Sequence, residues 1–228
     1  NSLVYIWDVP HNELLHTLDV DAAYIQSIAW HPTDPSIIAV SQNSNLPMEF
    51  WDTNRGERLE TRPEYETWNW NSLHWSPDGS QLAMAGWRPT IVDWKSRAIV
   101  KTLYEQNTAN ATGVHFSRDG KLLATASDDG RICIYDATTW DHLQTLTGHA
   151  GPVREVVWNP DATRIASLGA DDTLRLWDVE FDTVSQHRQS RVVLSIDAEA
   201  GRSLNWSADG RFIALSINTR LRALRLFH

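Results

Sequence analysis

Ser167, His149 and Asp171 are the residue types of a nucleophile, a general base and the carboxylate that orients it. The rest of such a site is missing, because Ser167-Leu-Gly-Ala-Asp-Asp is not a strained nucleophile turn and implies no oxyanion donors. Nine histidines include no H-x-H, H-x-x-x-H or H-E-x-x-H spacing. The single cysteine, Cys133, alternates with Ile132 and Ile134 and reads as a packed strand residue; alone, it can form no intrachain disulfide. No G-x-G-x-x-G or Gly-rich Lys-Ser/Thr loop is present to cradle phosphates. Asp128–Gly130 and Gly169–Asp172 resemble fragments of calcium loops but lack the remaining ligand positions, and they read as hairpin turns. The sequons at Asn110 and Asn205 read as chance matches. No catalytic residue, metal or cofactor is assigned, and the expected role is not enzymatic.

The elements that hold these residues follow from a repeat. Trp30, Trp75, Phe116, Trp158 and Trp206 each close an apolar segment and precede a Pro/Asp/Gly turn, at intervals of 45, 41, 42 and 48 residues. Pro fixes φ and Gly supplies positive φ, so each instance predicts a hairpin. A second series runs in phase: Trp7-Asp8, Trp51-Asp52, Asp93, Tyr135-Asp136, Trp177-Asp178 and finally Phe227. A short alternating segment such as Glu13-Leu-Leu-His-Thr-Leu follows each of the complete units, giving four strands per repeat.

With Gly148-His149, Asn159-Pro-Asp and Trp177-Asp178 in one unit, the chain resembles the WD-repeat β-propeller family over essentially its whole length. That resemblance implies an all-β fold of four-stranded antiparallel blades, six or, as the preferred count, seven in the parent ring, incomplete in this chain. It implies a single propeller region over 1–228: a partial blade at 1–20, blades at 21–64, 65–107, 108–148 and 149–190, and a partial blade at 191–228. It also implies that His149, Ser167, Asp171 and Trp177 form a buried structural relay and not a triad. The preceding blade keeps Thr125 and Asp129 but has Asn107 and Tyr135 in the other two places, and the blades around Trp30 and Trp75 lack the relay. Counting third strands gives 21 strands, which is not a multiple of four, so the chain is expected to be part of a longer polypeptide.

Twelve tryptophans are far more than usual, and the two series absorb seven of them. Trp70 takes an inward strand position, and Trp94 and Trp140 flank the turn between third and fourth strands. Trp68 and Trp87 have no architectural reason to be Trp. With Tyr24, Arg154 and Arg202, which the alignment places at the rim where first strands begin, they are the candidate partner contacts. The expected function is a non-enzymatic interaction scaffold holding a rigid face toward a protein or peptide partner. The alternatives are a sensor or autoinhibitory propeller of a larger regulatory protein, and a propeller of a peptidase or periplasmic translocation protein. A formal charge of −9 argues against nucleic acid as partner. No apolar run approaches the roughly 18 residues of a membrane span, and the cysteine usage suits an intracellular setting, cytoplasmic or nuclear.

Overall fold

The computed structural model describes residues 2–20, 24–42, 48–59, 70–104, 109–181, 188–197 and 201–217. Every regular element among them is a β-strand, and every sheet is antiparallel between sequence neighbours. The first sheet is the hairpin β1 (Ser2–Asp8) and β2 (Glu13–Val20). Four complete four-stranded sheets follow. They are β3 (Ile25–Trp30), β4 (Ile37–Gln42), β5 (Glu49–Asp52) and β6 (Glu57–Arg58); then β7 (Ser72–Trp75), β8 (Gln81–Ala85), β9 (Thr90–Asp93) and β10 (Ile99–Thr102). The third has β11 (Ala111–Phe116), β12 (Leu122–Ser127), β13 (Ile132–Asp136) and β14 (His142–Leu146). The fourth has β15 (Val153–Trp158), β16 (Arg164–Gly169), β17 (Thr173–Phe181) and β18 (Arg188–Asp197). The pair β19 (Gly201–Trp206) and β20 (Ile213–Ile217) ends the described chain.

Strands β3, β7, β11, β15 and β19 lie side by side in that order, so the first strand of each blade is innermost and the blades stack face to face. The second strands are therefore covered on both faces. Residues of β4 and β12 are buried without alternation, as a continuous apolar run of this length predicts. Fourth strands such as β10 sit outside and are largely exposed. Each blade interface holds its own apolar cluster; Val4, Ile6, Leu18 and Val20 of the first hairpin meet Ile38, Val40 and Trp51 of the next sheet.

Two repeated side-chain devices set the hairpins. In the inner turns Ser76, Ser117 and Ser207 each donate to an Asp two residues on at 2.6 Å. The same oxygens accept an amide five residues on at 2.9 Å, and Gly79, Gly120 and Gly210 close the turns at φ of 74°, 72° and 71°. The Asp that follows the third-strand aromatic caps the outer turn. Asp52 accepts from Asn54 and Arg55 amides at 2.9 and 3.1 Å, and Asp136 from Thr138 and Thr139 at 2.8 and 2.9 Å. Asp178 departs from this and pairs with Arg164 at 2.8 Å.

One expected boundary moves. β18 runs to Asp197 and pairs with β17 as the fourth strand of its sheet, so the blade does not end at 190. The reason is the length of β17: its pairing continues past Asp178 to Phe181, and the returning strand starts correspondingly later.

Candidate functional site

The innermost strand of each blade is a sheet edge, whose outward N–H and C=O groups need partners from outside the sheet. Side chains of the preceding blade supply them at three levels. Nearest the rim where first strands begin, Asn71 Nδ2 donates to Ala111 O at 2.8 Å, Thr112 Oγ1 donates to Val153 O, and Arg154 donates to Gly201 O at 3.4 Å. One level down, Ser27 Oγ accepts the Leu73 amide at 3.2 Å and Glu155 Oε2 accepts the Leu204 amide at 2.5 Å. Lower still, His74 Nδ1 accepts the Phe116 amide at 3.2 Å and His115 Nδ1 accepts the Trp158 amide at 3.4 Å. Each blade is thus tied to the next along its inner strand, which makes the rim a rigid support.

On that rim Tyr24 stands 68% exposed just before β3, and Trp87, in the turn from β8 to β9, is 60% exposed. Arg154 is exposed on β15, apart from its long contact to Gly201. Trp68 lies outside the described residues; Arg202 lies on β19 with its side chain outside them. Trp70 is 2% exposed and packs between blades, among Met48, Phe50 and Leu73. Tyr104 was not anticipated. It leaves β10 on the same rim, is 58% exposed, and carries the Arg88 guanidinium 4.3 Å above its ring. The signal was available, because antiparallel order returns the end of every fourth strand to the rim where first strands begin. Trp87, Arg88 and Tyr104 therefore form an aromatic and cationic patch of the composition enriched at interface hot spots.

Beneath the rim of the β15–β18 blade, Trp177 Nε1 donates to Ser167 Oγ at 2.8 Å, and Ser167 Oγ lies 2.7 Å from His149 Nε2. His149 Nδ1 lies 3.0 Å from Asp171 Oδ1. Burial lowers the pKa of His149, against the opposing pull of Asp171, so the ring is neutral near pH 7. A neutral ring with Nδ1–H gives one consistent direction: Trp177 to Ser167, Ser167 to His149, His149 to Asp171. Burial pushes the Asp171 carboxyl up, but the Ala150 amide, the Thr173 hydroxyl and His149 outweigh it and hold the group well below the usual carboxylate range. Ser167 is fully buried and its oxygen already serves both neighbours, so no substrate can reach it.

The blade around Trp51 fills the same space differently. Glu49, 1% exposed, accepts the Trp51 indole N–H at 2.9 Å and pairs with Arg58 at 3.0 Å. In the blade of Tyr135, Thr125 is buried, and Asn107 lies outside the described residues. Among the described residues no three His, Cys, Asp or Glu side chains are grouped to hold a metal ion. Asp129 of the acidic turn caps the Arg131 amide at 3.1 Å, and burial pushes the Cys133 thiol up, which makes it a poor nucleophile. No helix among the described residues is long and apolar enough to cross a membrane.

Comparison with known proteins is consistent with this geometry. The family model "WD domain, G-beta repeat" matches residues 140–178, the span that ends on Trp177-Asp178. The model "Eukaryotic translation initiation factor eIF2A" matches residues 2–141. Protein HIR1 of Cryptococcus neoformans is 29% identical over 140 residues, covering 61% of this chain and 15% of its own. Nuclear distribution protein PAC1 of Arthroderma benhamiae is 30% identical over 184 residues, covering 75% of this chain and 39% of its own. The chain therefore spans well under half the length of these curated relatives. The crystal structure of the Cps50 (Swd1) β-propeller domain of Myceliophteria thermophila superposes with a TM-score of 0.78 over 99% of this chain and 80% of that one, at 17% identity.

Proposed function

The chain belongs to the WD-repeat β-propeller family, more than half of it falling within the match to the eIF2A model, and on that basis we propose that it works as a non-enzymatic scaffold presenting its upper rim to a protein or peptide partner. The upper rim is the one where first strands begin. Members of the family are generally protein-interaction scaffolds, and the proposal adds the face and the residues. The observation that carries it is the contrast in burial: Tyr24, Trp87 and Tyr104 are more than half exposed on a rim whose supporting side chains are tied blade to blade. Large aromatics held rigidly in water lose little freedom on docking and bury a large area when covered. The proposed setting is intracellular, cytoplasmic or nuclear.

Trp87→Ala and Arg154→Ala test the assignment. Both variants are expected to keep stability within about 1 kcal/mol, as exposed sites do, while partner proteins retained by the wild type from a cell extract are lost. Retention by Arg154→Ala at full level, with Trp87→Ala unfolded, would place recognition elsewhere. A second reading, a sensor or autoinhibitory propeller within a larger regulatory protein, is favoured by the greater length of the relatives. An ATPase or kinase motif in adjoining sequence would support it.

A further inference from the structure

Two surfaces beside the first hairpin lack what every complete blade supplies, and a single strand would satisfy both. In each four-stranded sheet the third strand lies between the second and the fourth. β1 holds the third-strand place, ending on Trp7-Asp8, yet among the described residues it pairs only with β2. Its other edge of N–H and C=O groups stands open. The second surface is on β3, where Ile28 and Trp30 are about half exposed. Their repeat equivalents Leu73, Trp75, Val156 and Trp158 are buried.

The complete blades show what fills both places. Every second strand sets an alanine opposite the same third-strand position: Ala39 faces Phe50, Ala83 faces Ile91, Ala124 faces Ile134 and Ala166 faces Leu176. All four alanines are buried, and each also packs on the first strand of the following blade. Ala39 lies with Leu73 and Trp75, Ala83 with Val114 and Phe116, Ala124 with Val156 and Trp158, and Ala166 with Leu204. A longer side chain there would overpack the seam between blades. Ile or Leu precedes each alanine, as Ile38, Leu82, Leu123 and Ile165. In the β1–β2 blade the matching third-strand residue is Ile6, and the first-strand residues that follow are Ile28 and Trp30. A strand reading Ile/Leu-Ala, with its alanine opposite Ile6, therefore closes the edge of β1 and covers Ile28 and Trp30 together. An inner strand joined to it by the usual turn would lie beside β3 and offer the Trp30 indole the kind of carbonyl that Ala29 offers Trp75.

We propose that the groove between β1 and β3 is a docking site for a β-hairpin whose second strand carries Ile or Leu followed by Ala, and that the remainder of the propeller supplies it. Of the matched Cps50 propeller domain 80% is covered and 20% has no counterpart in this chain. The contacts that the hairpin would make also continue, residue type for residue type, the packing between the complete blades. Backbone pairing along the edge of β1 gives affinity, and the small residue opposite Ile6 gives specificity. The site does not depend on the upper-rim reading.

The test adds synthetic hairpins to the 228-residue chain. The probes are peptides of residues 111–127 and 153–169, whose Leu123-Ala124 and Ile165-Ala166 carry the required pattern. Each is a two-stranded unit that is marginal alone, and each is expected to bind saturably. Binding should slow hydrogen exchange over residues 2–8 and move the Trp30 indole resonance. The 111–127 peptide carrying Ala124→Leu should not saturate. In the protein, Trp30→Ala should weaken the hairpin by about tenfold or more, as truncation of an interface aromatic does. Ile28→Ala gives the same reading should Trp30→Ala fail to fold. Trp87→Ala on the upper rim should bind as the wild type does. Absence of saturation by either hairpin overturns the site. So do equal binding of the Ala124→Leu peptide, unchanged affinity in both protein variants, or binding that leaves exchange over residues 2–8 unaltered. A dimer of the chain that the hairpins do not dissociate would assign the groove to a second copy and overturn the proposal as well.

Discussion

Asp171→Ala is expected to destabilise the chain by about 3 kcal/mol, which in a domain of this size lowers the melting temperature by roughly 6–12 °C. The carboxylate accepts the Ala150 amide at 2.9 Å, the Thr173 hydroxyl at 2.8 Å and the Thr173 amide at 3.2 Å, and it faces His149 Nδ1 at 3.0 Å. Removing it strands these donors together. The His149 side chain is fully buried and cannot turn to water for a substitute. Asp171→Asn keeps one acceptor oxygen and should cost clearly less. Urea unfolding of the three proteins at pH 7 measures the order, and an Ala variant within 1 kcal/mol of wild type would reduce the relay to a passive contact.

Gly169 gives an independent route to the same network. A Cβ built there would lie 2.2 Å from Asp171 Oδ1 and 2.3 Å from His149 Nδ1. Gly169→Ala must therefore push the imidazole and the carboxylate apart. Its effect should be strongly non-additive with Asp171→Ala, because the methyl gains room once the carboxylate is gone.

Much of this was legible in the sequence, for a physical reason. The period of the aromatic-turn pattern fixes which segments are first strands, and antiparallel order then fixes which ends share a rim. The four relay residues could be named because their spacing belongs to a single blade. What could not be read was anything decided by the neighbouring blade. Trp75 and Trp158 are 4% and 3% exposed, yet Trp30 at the same repeat position is 50% exposed. Trp75 packs on β3 through Ala29, while among the described residues no inner strand precedes β3. Trp7 is 55% exposed for the same reason, against 3% for Trp177. Glu49 was missed because it satisfies Trp51 from two residues away on the same strand, a solution that the relay pattern does not contain. Likewise, the Trp75 indole finds its acceptor, Ala29 O, one blade away, while the indoles of Trp158 and Trp206 are buried without one.

Acid should loosen the contacts between inner strands, and the lowered pKa of His149 makes acid act on the relay in the same direction. His74 and His115 stack with ring centroids 4.0 Å apart. Burial pushes the pKa of His74 down from 6.5 to about 4, and burial, reinforced by His74, pushes His115 well below its ordinary value. Folded-state pKa values lie below the unfolded ones, so the unfolded chain takes up these protons first. Stability is lost as pH falls from about 6.5 towards 4, by roughly 3 kcal/mol for His74 alone. Glu155 works in the opposite sense. Burial raises its pKa from 4.5 to about 7, so its contribution is complete below 4.5 and is lost as pH rises to 7. Between about pH 6.5 and 4.5 the two effects oppose, and Glu155 masks part of the histidine slope. Glu155→Gln keeps an acceptor for the Leu204 amide and removes the titration. Its acid slope should therefore be steeper than wild type by about 1.4 kcal/mol per pH unit, one proton's worth. His74→Asn should be flatter than wild type by the same amount. Geometry says where the loosening starts: protonating Nδ1 of His74 or His115 sets an N–H against the Phe116 or Trp158 amide that it now accepts. Those two amides, which tie β7 to β11 and β11 to β15, should lose hydrogen-exchange protection first. Urea unfolding across pH 4.5–7 reads the slopes, and identical slopes in wild type and Glu155→Gln would contradict the argument.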